Sequence, residues 1–294
     1  THTAHSFLIA DCSPCNHYSK YNALIHNKHN RRYNLLSVLK STSLHFAMAS
    51  GNAEIVKILI MSGARTSLRD RLGFDIASYA AKFSRTQCLQ TFLNLREKEF
   101  KMQMASKDYL QLCMGSNNSD FKCIKECIEF LLSQGQDICK SHHDSGLTLL
   151  MLTVSSVNTC SVESINFVIE AVHQRSGIPI SDIVNERCYP KTILWSFFKQ
   201  YTNVSSMLRL GHLSDPKKNP AMHSMQLMWG TTALHYAFGS GNVFVAYRLI
   251  ELGADINAKN DLGMSVMDFA SGFGHREVMA KVLDDTVCIE KKKK

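Results

Sequence analysis

The sequence predicts an all-α solenoid of helix-turn-helix units joined by hairpin loops, and three observations carry that prediction. One box recurs along the chain: Thr42-Ser-Leu-His-Phe-Ala, Asp75-Ile-Ala-Ser-Tyr-Ala, Thr232-Ala-Leu-His-Tyr-Ala and Ser265-Val-Met-Asp-Phe-Ala. The copies keep a fixed distance, 33 residues from Thr42 to Asp75 and again from Thr232 to Ser265. A period of that size marks stacked supersecondary units. Glycine-bearing breaks follow the box at matching places, Ser50-Gly-Asn52 after the first and Gly239-Ser-Gly-Asn242 after the third.

The copy at Thr232 justifies each element in turn. Thr232 caps a helix whose Ala233, Leu234, Ala237 and Phe238 fall at helical spacing. Residues 239–242 break it, because glycine reaches the positive-φ conformations of a tight turn. A second helix over 243–252 is expected to bury Val245, Leu249, Ile250 and Leu252 as one stripe. Gly253 ends that helix, and residues 254–257 lead out into a hairpin loop. A helix pair this small cannot bury its own apolar face, so it must stack on neighbours.

Sliding the frame finds weaker copies, giving starts at 42, 75, 108, 148, 192, 232 and 265. The central three carry insertions of 7, 11 and 7 residues, placed at 115–121, at 155–164 with 177–185, and at 210–226. Asp215-Pro-Lys-Lys-Asn-Pro220 breaks any helix in the last of these. Residues 1–41 are read as an N-terminal capping segment or degenerate repeat, with Asn22-Ala-Leu-Ile-His-Asn-Lys-His as an outer helix. The repeat domain then covers 42–285, and 286–294 forms a basic C-terminal tail.

The period and the box resemble the ankyrin repeat with its T-P-L-H-x-A signature. The resemblance implies that His45 and His235 hydrogen-bond within the turn and join neighbouring repeats. It also implies a concave groove of hairpin tips and first helices. Residues just before each box, and those ending the first helix, point into it. Carried over, these are Arg71, Leu72, Phe74, Lys82 and Phe83 in the second copy and Lys107 in the third. The fifth gives Tyr189, Lys191, Lys199 and Gln200, the sixth Met228, Trp229 and Thr231, and the last Leu262, Met264 and Phe273. The third and fifth boxes depart from the pattern. Asp255-Ile-Asn257 resembles the site modified by an asparaginyl hydroxylase of animal cells, with Asn257 as acceptor.

Composition narrows the classes. No run of 18 apolar residues exists, so no membrane-spanning helix is expected. No secretory leader is visible, and cysteines such as Cys88, Cys123, Cys127 and Cys188 sit on helices as small apolar residues. The expected location is intracellular and cytoplasmic, with Lys291–Lys294 as a nuclear-targeting or anionic-surface signal. Of the net charge of +8, four charges belong to that lysine run, and the remainder does not argue for nucleic acid.

Cys12, Cys15 and His17 lack a fourth ligand for zinc, and Cys139, His142 and His143 lie downstream of Cys123 and Cys127 on an apolar helix face. There is no P-loop, G-x-G-x-x-G, H-E-x-x-H or G-x-S-x-G. No catalytic residue, metal or cofactor is assigned. The reading is a non-enzymatic, monomeric scaffold that binds a protein partner in its groove. The cations among the groove residues imply an acidic contact surface on that partner. The alternative is a host-manipulating ankyrin effector of an intracellular pathogen or virus, with a cryptic enzymatic site in the inserted central repeats.

Overall fold

The computed structural model describes residues 40–115, 120–139, 146–156, 159–189, 196, 199, 200 and 228–293. The described residues are helical, with one antiparallel bridge between Lys259 and Ser265. They fall into two compact units, one running to Ile138 and the other starting at Cys139. The Asn22-Ala-Leu-Ile-His segment and the zinc candidates Cys12, Cys15, His17, His142 and His143 lie outside the described residues.

In the N-terminal unit, α1 (Ser43–Ser50) and α2 (Ala53–Met61) form the first pair, α3 (Ile76–Lys82) and α4 (Thr86–Leu95) the second. Helix α5 (Glu97–Ser106) follows directly, then α6 (Leu110–Met114) and α7 (Phe121–Ser133). Inner helices pack on inner helices, α1 on α3 and α3 on α6, while outer helices stack as α2 on α4 and α4 on α7. Asn52 explains the start of α2, since its side chain accepts the Ile55 N–H at 3.1 Å. The apolar side chains that meet in this unit are fully buried, among them Phe92, Phe100, Leu89 and Ile124.

Helix α5 stands where the period would place a hairpin. Its acidic start, Glu97 and Glu99, suits a helix N-terminus. Phe100 anchors it edge-on against Phe92, with centroids 5.5 Å apart. Gln103 clasps the preceding loop by donating to the Thr66 carbonyl at 2.8 Å. Gln136 repeats that clasp 33 residues later, donating to the Met104 carbonyl at 2.6 Å. Cys88 and Cys127 are buried on helices and Cys123 is half-buried on α7, as the sequence implies, whereas Cys188, also buried, lies outside any helix because its backbone pairs with Thr231 and Gly230. Burial pushes the Cys88 thiol up to about 11, so it packs as a neutral group.

The C-terminal unit holds α8 (Leu149–Ser155), α9 (Val162–Ser176), the short α10 (Ile180–Asn185), and the pairs α11 (Ala233–Ser240) with α12 (Val243–Glu251) and α13 (Val266–Gly272) with α14 (Arg276–Lys293). Of the predicted stripe on α12, Val245 and Leu249 are buried, whereas Ile250 and Leu252 are half-buried. The second insertion takes up structure here, since α9 begins within 155–164 and 180–185 adds α10. Helix α8 packs directly on α11, and α9 on α12, where Arg248 donates to Asn166 at 2.8 Å. The copies that begin at Thr148 and Thr232 are therefore neighbours, and most of the copy at 192 lies outside the described residues. Helix α14 continues through the lysine run to Lys293.

Candidate interaction surface at the loop tips

The loop tips are built by the same local chemistry in both units. In the N-terminal unit the Asp70 carboxylate accepts the Leu72 and Phe74 N–H groups, each at 2.8 Å, which closes the tip as a tight turn. In the C-terminal unit Asn260 does the same for Leu262 and Met264, at 3.0 and 2.9 Å. Each tip then runs into its box. At the boxes of Thr42 and Thr232 the histidine Nδ1 accepts the threonine N–H at 3.1 Å. His235 also reaches forward, its Nε2 lying 3.4 Å from the Met264 carbonyl and its ring edge-on to Phe269 at 5.0 Å. Burial lowers His235 to about 4, against the opposing pull of that carbonyl.

The N-terminal tip separates its charges. Arg65, Arg69 and Arg71 are exposed, and Leu68 beside them is 38% exposed. The acids of the same stretch, Asp70 and Asp75, are buried. Asp70 also accepts the Tyr79 hydroxyl at 2.9 Å. Asp75 caps α3 by accepting from the Ser78 N–H and hydroxyl at 2.9 and 2.7 Å, and takes the Tyr109 hydroxyl at 3.0 Å. Lys107 sits between, 3.8 Å from the Asp75 carboxylate, bonded to the Gly73 carbonyl, with its ammonium 5.3 Å from the centre of the Phe74 ring. Burial lowers the Lys107 pKa while Asp75 raises it. Arg65 and Arg69 are additions to the predicted set. Their exposure comes from the fold of the tip, and no signal in the sequence marked them.

The C-terminal tips form a hydrogen-bonded row. Cys188 donates to the Thr231 carbonyl at 2.8 Å, Gly230 donates to the Cys188 carbonyl at 2.9 Å, and Asp261 donates to the Trp229 carbonyl at 2.9 Å. On this row Tyr189 is exposed and donates its hydroxyl to Asp261 at 3.2 Å. Lys199 pairs with the same carboxylate at 2.5 Å and lies over the Tyr189 ring at 4.3 Å. Leu262 is exposed, Met264 half-buried, and Phe273 half-buried against Gly239. Asn257 is exposed, its N–H bonded to Asp255 at 2.9 Å.

Four predicted contact residues are corrected by burial. Trp229 is fully buried, because the pairing of tips 188, 230 and 261 turns this largest of apolar side chains into the core. Lys82 is 4% exposed, at the end of a helix whose every residue is buried. Loss of water lowers its ammonium to about 7, and Asp70 opposes that shift. Met228 and Thr231 are buried as well. Arg71 and Gln200 are exposed, and Phe74, Phe83 and Lys107 are half-buried. Lys191 lies outside the described residues.

Comparison with known proteins adds three findings. A family model described as "Ankyrin repeat" matches residues 40–71, and one described as "Ankyrin repeats (many copies)" matches residues 234–283. The nuclear factor NF-kappa-B p105 subunit of Gallus gallus is 27% identical over 131 residues, 44% of this chain. The chain spans only 13% of that relative's length. The crystal structure of the ankyrin repeat domain of Bcl-3, a member of the IkappaB protein family, aligns with a TM-score of 0.47 at 18% identity, over 95% of this chain and 98% of that one. Among the described residues no helix is long and apolar enough to cross a membrane.

Proposed function

Because this chain is an ankyrin-repeat protein, we propose that it is a non-enzymatic scaffold whose loop tips and inner helices bind an acidic segment of a protein partner. The observation that carries this reading is the charge separation at the first tip. Arg65, Arg69 and Arg71 face solvent while Asp70 and Asp75 are turned inward. A tip whose anions are spent on its own backbone presents nearly unopposed positive charge, which steers and orients an anionic partner. Leu68 and Phe74 add apolar contact beside the guanidinium groups, the mixture that favours protein over bare polyanion. Bidentate guanidinium–carboxylate pairing supplies the specificity. At the other tips, Tyr189, Leu262, Met264 and Phe273 are the corresponding contacts. Asn257, exposed on its loop, is the modification acceptor of this reading. The scaffold acts as a monomer in the cytoplasm or nucleus.

The test is fluorescence anisotropy with a labelled peptide rich in glutamate and leucine, titrated with the full chain. Binding should weaken with ionic strength and should be lost in an Arg65→Glu, Arg69→Glu, Arg71→Glu variant of unchanged helicity. Undiminished binding by that variant would move the site off this tip. Tighter binding of heparin than of the peptide would turn the reading toward a general polyanion surface.

A further inference from the structure

We infer that the exposed apolar stripe on α2 is the docking face for residues 20–29 of this same chain, acting as the outer helix of one more repeat. Ile55, Ile58 and Met61 recur every third residue of α2 and are 46%, 61% and 71% exposed. Three large aliphatic groups side by side on one helix are costly to leave in water, at about 25 cal/mol per Å². Their position says what covers them. Outer helices stack side by side in this fold, α2 on α4, α4 on α7, α9 on α12 and α12 on α14. Among the described residues α2 is the first outer helix of its stack, and the stripe lies beyond Val56 and Ile60, which are buried.

The chain before α1 has the length and register to fill that place. In two well-formed copies 22 residues separate the first residue of the outer helix from the next box residue: Ala53 to Asp75, and Val243 to Ser265. Counting the same distance back from Thr42 lands on Lys20, which opens Lys20-Tyr-Asn-Ala-Leu-Ile-His-Asn-Lys-His29. Tyr21, Leu24 and Ile25 fall at the i, i+3, i+4 spacing of an apolar helix face. The 39 residues that precede Lys40 exceed one period, so no second molecule is needed to complete the stack.

Hydrogen–deuterium exchange on the full chain tests the assignment. Amides of 20–29 should exchange at least about tenfold more slowly than an unstructured chain. That protection should vanish in Ile58→Asp, Met61→Asp while α3 and α4 keep theirs. Unprotected amides at 20–29 in the unaltered chain, or protection that survives the substitutions, would overturn the proposal. So would a concentration-dependent mass by sedimentation that the substitutions abolish, since a second copy would then be the occupant. If the α2 variant loses protection throughout α3 and α4, Leu24→Asp, Ile25→Asp replaces it. That variant should expose α2, seen as faster exchange of its amides and new binding of a hydrophobic dye, with α3 and α4 intact. Unchanged α2 exchange in it would overturn the proposal equally.

Discussion

Tyr109 reaches back a full period to set its hydroxyl 3.0 Å from the carboxylate of Asp75, with both side chains buried. The bond ties the third copy to the capping residue of the second, so one interaction serves helix initiation and repeat stacking together. The loss of water, followed by the Asp75 charge, holds the phenol pKa far above its ordinary value, so Tyr109 is a permanent donor.

Tyr109→Phe tests that link. A hydrogen bond to a buried charged group contributes about 1.5–3 kcal/mol, and its removal leaves Asp75 with the two Ser78 donors and Lys107. The variant should lower the stability of the N-terminal unit by about 2 kcal/mol in urea melts. Exchange should quicken first at α3 and α6.

Lys82 gives the same unit a dependence on alkaline pH. Its folded pKa is about 7, against 10.5 for an exposed lysine. Between these values the unfolded chain holds a proton that the folded chain has shed, so stability rises with pH from about 7 to about 10. The slope of a single group is at most ~1.4 kcal/mol per pH unit. Lys82→Met should flatten this rise and raise the melting temperature at pH 6–7, where the wild type buries a charge. A variant that melts lower than wild type at pH 6.5 would show that the ammonium stabilises the fold.

What could be read in the sequence, and what could not, divides along a physical line. The boxes, the break at Gly239–Asn242 and the caps depend on neighbours in the chain, and Thr42, Asp75, Thr232 and Ser265 each begin a helix as expected. The fate of Lys82 and Trp229 depends on which tip lies alongside, a fact of stacking that spacing does not encode. Helix α5 escaped notice for a related reason. Its charged start reads as a loop until Phe100 meets Phe92 of its own copy and Gln103 reaches Thr66 of the preceding one. The arginine tip was half-legible, with Arg71 found by position and Arg69 only by its exposure.

The C-terminal unit carries an acid-sensitive cap at His235. Its Nδ1 must be unprotonated to accept the Thr232 N–H, and burial holds the folded pKa near 4 while the unfolded value is 6.5. The unfolded chain therefore binds the extra proton between those values, and stability falls as pH drops from 6.5 toward 4. His235→Ala should cost about 1–2 kcal/mol at pH 7, from the lost cap and the packing against Phe269. It should also weaken the acid dependence in that window. Circular dichroism melts at pH 7 and pH 5 on both proteins check the difference.

Two glycines with similar backbone angles should respond very differently to alanine. Gly146 and Gly63 both have positive φ, at 75° and 85°. A Cβ on Gly146 would stand 1.6 Å from the Tyr189 carbonyl oxygen, which is backbone and has no rotamer by which to yield. A Cβ on Gly63 would meet nothing within 4 Å. Gly63→Ala therefore carries only the left-handed strain of an L-residue, about 1–2 kcal/mol. Gly146→Ala adds a collision that must push the Tyr189 backbone off its neighbour. It should cost more than about 3 kcal/mol and break the row at its first tip, releasing Tyr189 from Asp261. Thermal melts give the first quantity. The second follows from tyrosine accessibility to acrylamide, compared with a Tyr189→Phe control. Equal destabilisation by the two alanines would mean that the tip at Tyr189 yields freely, and that the row is no rigid platform for a partner.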